Sequence, residues 1–165
     1  MHFEAITQLP TAWTMASGRF GVHLFEGALT VDDMVGMQQR GDVWYAANLG
    51  RLVELVVIYP SDSRMSGEER RKMVELMKNG DSRRDASSTV ILAEGLVASL
   101  QRSILTGLLM LAPPPHPAKI CAGVAPAVDF LAPFAQALRT TVTLAGVNQL
   151  QRAFEARPGR LVASA

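Results

Sequence analysis

Few residues of this chain have the means to do chemistry, and the most suggestive stand together at Ser66, Gly67, Glu68, Arg70 and Arg71. Ser66 with Glu69 three residues later is a reciprocal capping pattern, and an N-cap serine contributes about 1 kcal/mol. The charges of both signs that follow suit a solvated helix face, and Ser63 is a second hydroxyl in the same stretch.

Other reactive types are scattered. His2, His23 and His116 form no pair at helical or finger-like spacing with Cys121 or a carboxylate cluster, so neither a metal nor a cofactor is expected. The chain has no Gly-rich phosphate loop, no G-x-G-x-x-G and no G-x-S-x-G elbow. His23 could act as a base with a remote carboxylate, since triads assemble from distant positions, but its place in an alternating run reads more simply as a half-exposed strand residue. Cys121 is alone, which rules out an internal disulfide, and between Ile120 and Ala122 it reads as an inert, buried strand position. No catalytic residue is assigned, and the chain is not expected to be an enzyme.

The composition belongs to an ordinary globular protein, 48% apolar and 19% charged over 165 residues. Sixteen Lys and Arg against fifteen Asp and Glu leave a net charge of +1, too little to attract nucleic acid or acidic membranes. The basic residues from Arg64 to Arg84 are interleaved with Asp62, Glu68, Glu69, Glu75, Asp81 and Asp85, the pattern of a solvated, salt-bridged face. The amino terminus lacks a secretory pattern. The greasiest stretch, Ser103 to Pro113, falls well short of the roughly twenty residues of a membrane span. A cytoplasmic location, with no membrane and no nucleic acid as partners, is expected.

The elements that must position these residues follow from periodicity. Trp13 to Ala16 and Phe20 to Phe25 read as an opening hairpin around Gly18. Thr30 with Asp33 opens a helix over about Val31 to Asn48, with a break possible at Gly36 or Gly41. Leu52 to Tyr59 contains Leu55, Val56, Val57 and Ile58 in an unbroken apolar run suited to a central strand covered on both faces. The Ser66 helix runs to Asn79 and Gly80, and a polar loop spans Asp81 to Ala86. Ser88 to Ala93 and Ala118 to Ala122 read as strands, with a helix from Leu96 to Leu111 between them. A helix starts at Pro126, Pro133 kinks or restarts it, and one amphipathic helix follows from Phe134 to Ala156.

From Gly18 to Ala132 this order resembles STAS-like domains, the group of anti-sigma factor antagonists and related small bacterial proteins. The likeness is carried by Thr89-Val-Ile-Leu-Ala-Glu94, Arg102 with Ile104-Leu-Thr-Gly-Leu108, Ala118-Lys-Ile-Cys121 and Ala127-Val-Asp-Phe-Leu131. The resemblance implies an α/β fold: a STAS-like mixed sheet of four to five strands in residues 1–132, with a C-terminal helical extension and tail in 133–165. In the antagonists a serine followed by glycine, between a central strand and the next helix, is phosphorylated by a partner kinase. Ser66-Gly67 falls at that place, although Arg64 and Met65 replace the acidic residue and small hydroxyl that precede it there.

The resemblance thus implies a non-enzymatic protein-interaction or regulatory module in a bacterial cytoplasm. Ser66, Gly67, Glu68, Arg70 and Arg71 are then the possible phosphoacceptor or contact residues for an unknown protein partner. The alternative is a small apolar or lipid-like ligand-binding domain, for which the aliphatic richness of Leu96 to Leu111 would suit a cavity as well as a dry core. The apolar stripe of the C-terminal helix needs cover, either on its own domain or in a homodimer.

Overall fold

A computed structural model describes residues 1–48, 50–61, 66–80, 83–93, 95, 103, 106 and 113–158, with the backbone alone at 77–80. Three strands come first: β1 (Glu4–Gln8), β2 (Ala12–Ser17) and β3 (Phe20–Phe25). Helix α1 (Val31–Ala47), strand β4 (Leu52–Ile58), helix α2 (Gly67–Gly80) and strand β5 (Arg84–Ile91) follow. Strand β6 (Ala118–Cys121) and helices α3 (Val124–Ala137) and α4 (Leu144–Glu155) complete the described elements. The helix expected over Leu96 to Leu111 lies outside the described residues.

The sheet has six strands in the order β1-β2-β3-β4-β5-β6, rather than the four or five expected. β1, β2 and β3 pair antiparallel, and β3 to β6 run parallel. The extra strand is β1, an edge strand with Glu4, Ala5 and Gln8 exposed. With little of it buried, it carries no apolar alternation to reveal it. β5 begins at Arg84, inside the stretch expected to be a polar loop. Its charged first residues are tolerated because Arg84 pairs with Glu54 and Asp85 with Arg51.

Alternation along the central strands splits the apolar side chains between two layers. Phe20, Val22 and Leu24 of β3 and Val53, Leu55 and Val57 of β4 face α3 and α4 in the larger cluster. On the opposite face a smaller cluster of Ala12, Leu29 and Met34 is joined by Phe25, Met37, Met73 and Leu76, from β3 and from α1 and α2. α1 starts at a complete capping box, in which Thr30 Oγ1 accepts from the Asp33 backbone N–H and the Asp33 carboxylate accepts from the Thr30 N–H. It then runs through Gly36 and Gly41 without a break.

The C-terminal helices depart from expectation twice. α3 runs through Pro133 to Ala137 as one helix rather than restarting there. The Asp129 carbonyl that loses its donor belongs to an exposed residue, so water can replace the bond. The single helix expected over Phe134 to Ala156 is instead broken between Ala137 and Leu144, where Arg139 takes a positive φ of 54°. Thr140, Thr141, Val142 and Thr143 form a β-branched run that disfavours helix, and Thr143 caps α4 by accepting from the Gly146 N–H at 3.2 Å. Gly18, at φ 59°, turns β2 into β3 and lets this linker approach: a Cβ there would stand 3.0 Å from Thr140 Oγ1.

Val147, Leu150 and Phe154, the stripe of α4, are buried in the main core, and Phe154 meets Trp13 edge-on at 5.4 Å. Arg157 closes the end of the helix, with Nε donating to the Pro10 carbonyl at 2.6 Å, a second nitrogen on Glu26 and its guanidinium 3.6 Å above the Phe154 ring. The stripe is therefore covered within its own fold.

Candidate functional site

Ser66 stands at the start of α2, directly after the residues that follow β4. The Glu69 backbone N–H donates to Ser66 Oγ at 3.2 Å, and the Ser66 N–H donates to the Glu69 carboxylate at 2.6 Å. The capping reading of the sequence is thus realised in both directions. Ser66, Gly67, Glu68, Arg70 and Arg71 are all exposed, whereas Met73 and Leu76 on the same helix turn toward the fold. Lys72 pairs with Glu75 at 2.9 Å rather than with Glu68. Arg70 and Arg71 have no acidic partner among the described residues. Val74, three and four positions beyond them, is 48% exposed.

A second polar cluster lies under α1, where sequence reasoning found an apolar strand. Glu54, in the middle of β4, has a side chain only 3% exposed. His23 Nε2 donates to its Oε1 at 2.9 Å, and Arg84 Nε donates to its Oε2. Burial would push the Glu54 carboxyl up. The charges of His23 and Arg84 and their hydrogen bonds outweigh that effect and hold it down to about 2. The Tyr45 phenol of α1 also hydrogen-bonds Glu54. Burial and the adjacent carboxylate push that phenol well above its ordinary value.

His23 does find the remote carboxylate weighed for it. Its Nδ1 lies 3.1 Å from Thr14 Oγ1, so both ring nitrogens are occupied. Arg84, which reads in the sequence as part of a solvated charge cluster, is instead half of a buried ion pair. Another hydroxyl–His contact joins Ser87 Oγ to His116 Nε2 at 2.9 Å, with His116 buried. No local signal could have shown it, because it depends on the parallel pairing of β5 and β6. Cys121 is buried, with the Ser88 hydroxyl 3.5 Å from its sulfur. Among the described residues, no three His, Cys, Asp or Glu side chains come together as metal ligands would.

No protein-family model and no curated protein matches the chain. Among solved structures it is similar to an uncharacterised protein of the DUF3478 family with a SpoIIAA-like fold, from Shewanella loihica PV-4. The two share 17% identity at a TM-score of 0.56, over 73% of this chain and 92% of the other. The fold is STAS-like. In this STAS-like chain Ser66 occupies the junction between a central strand and the following helix, and the outward residues of α2 are the ones that junction displays. No helix among the described residues is long and apolar enough to cross a membrane.

Proposed function

We propose that the chain is a non-enzymatic regulatory module of the STAS-like type, working in a bacterial cytoplasm, which docks a protein partner on the outward face of α2. One observation carries the reading: Val74 stands exposed beside the cations of Arg70 and Arg71, about two helical turns from Ser66. An apolar side chain ringed by mobile charge is the composition of a small contact patch, with arginine suited to bind carboxylates or phosphate on the partner. Phosphorylation of Ser66 would act as a switch. The added charge would stand against Glu68 and Glu69 and disturb the capping box, while gaining the helix N-terminus and Arg70.

A photo-crosslinking residue placed at Val74, compared with one at exposed Asp129 on α3, tests the docking face in cells of the source organism. A discrete adduct from position 74 that is lost on Arg70→Glu with Arg71→Glu is expected. Equal adducts from both positions, or none from position 74, would refute it. Phosphopeptide mass spectrometry on the same material tests the switch, which fails if Ser66 carries no phosphate under any growth condition.

A further inference from the structure

At the end of the sheet where β2 turns into β3 and α1 gives way to β4, a cavity of about 260 Å³ is lined by Gly18, Arg19, Trp44, Gly50, Arg51 and Leu52. Two guanidinium groups reach it from different segments of the chain. Arg51 is partly engaged, with Nε paired to Asp85 and another nitrogen donating to the Arg84 carbonyl. Arg19 is exposed and has no acidic partner among the described residues.

The backbone makes room for that free cation. Gly50 has a φ of 126°, and a Cβ on it would stand 3.1 Å from the Arg19 guanidinium carbon and 3.2 Å from Nη2. Only glycine combines that conformation with so close an approach. A helix C-terminus attracts arginine through its unsatisfied carbonyls, and α1 ends at this cavity. The Trp44 carbonyl, however, is already taken by the Asn48 backbone N–H at 3.0 Å and by Asn48 Nδ2 at 2.9 Å. The Trp44 indole N–H is itself buried and has no acceptor among the described residues.

We propose that this cavity binds the phosphate group of a small organic phosphate monoester, with Arg19 as its principal contact, Arg51 as a second donor and Trp44 as an apolar wall. One planar guanidinium satisfies both oxygens of a carboxylate, whereas a phosphate presents three oxygens and can accept from two guanidinium groups at once. The site shares no residue with the outward face of α2, so the two readings stand or fall separately.

Trp44 supplies its own readout. In a Trp13→Phe background, Trp44 fluorescence is followed while glycerol phosphate, inorganic phosphate or glycerate is added to the full chain. Phosphatidylcholine vesicles with and without phosphatidic acid are titrated in parallel. Saturable binding of glycerol phosphate, weaker binding of glycerate and an affinity loss of about tenfold in Arg19→Gln are expected, the effect of one lost charge-assisted contact. Arg83→Gln, which alters an exposed arginine outside the cavity lining, leaves binding unchanged. A response to phosphatidic acid vesicles without one to glycerol phosphate places the phosphate on a lipid, and the reverse places it on a soluble ester. The proposal is overturned if neither probe saturates, if glycerate binds as tightly, or if Arg19→Gln and Arg83→Gln bind alike.

Discussion

Arg84 on β5 and Glu54 on β4 form an ion pair across neighbouring parallel strands, with side-chain exposures of 17% and 3%. His23 on β3 holds the other carboxylate oxygen, so three adjacent strands are tied by one buried anion. A carboxyl held at about 2, against an ordinary 4.5, contributes stability that is fully present above pH 4.5 and is lost as the pH falls toward 2. Glu54→Gln should cost about 3 kcal/mol near neutrality, and the gap to the parent chain should narrow across that acid window. Urea midpoints of both chains from pH 7 downward measure it. A gap that stays constant with pH would contradict the assignment.

Arg84→Ala should destabilise the fold by about 3 kcal/mol, because it leaves Glu54 buried with one partner fewer. Val57→Ala, which empties a fully buried site in the main core, should cost about 2 kcal/mol. Arg71→Ala, on the exposed face of α2, should change stability by less than about 0.5 kcal/mol. Denaturant midpoints of the three variants order them directly.

Ser66→Ala removes the acceptor for the Glu69 N–H and should cost about 1 kcal/mol, whereas Ser66→Asp retains a capping oxygen and should cost less. Amide hydrogen exchange in the first turn of α2 reads the local loss. Equal protection in the alanine variant and the parent would show that the cap contributes nothing.

Arg157→Ala should cost about 3 kcal/mol, since it takes a buried cation away from Glu26, frees the Pro10 carbonyl and removes the cation above Phe154. Arg157→Lys should recover less than half of that loss, because an ammonium cannot reach the three groups as a planar fork does. Thermal unfolding of the pair tests it.

Deleting residues from Pro133 onward takes Ala135, Val147, Leu150 and Phe154 out of the main core. The shortened chain should lose cooperative unfolding, visible as a flat near-ultraviolet dichroism signal, instead of behaving as a trimmed domain. A sharp unfolding transition in the shortened chain would show that the first 132 residues fold alone.

Features written within a few residues of one another were legible before the structure. The Thr30 and Ser66 boxes each join partners three positions apart, and Leu52 to Ile58 has the composition of an inner strand whatever its neighbours are. What could not be read depends on register. Glu54 looked out of place in an apolar run until β5 brought Arg84 beside it from thirty positions away, past an irregularity between Leu52 and Val53. β1 escaped notice because an edge strand buries little, and β5 appeared to start late because its opening charges are neutralised by residues far along the chain. At the candidate docking face the residues named from local signals are exposed, whereas the Arg19 cavity, assembled from three separate segments, left no local trace.

The place of Phe154 also bears on how the chain is made. Its ring sits 5.4 Å from Trp13 and 5.2 Å from Tyr59, completing a wall begun more than a hundred residues earlier. On a ribosome the strands carrying those aromatics emerge first, and at usual synthesis rates they wait several seconds for α4. During that interval the inner face of β2, β3 and β4 is a greasy, strand-rich surface, so the nascent chain is a natural client for chaperones that shield such surfaces until the last helix arrives.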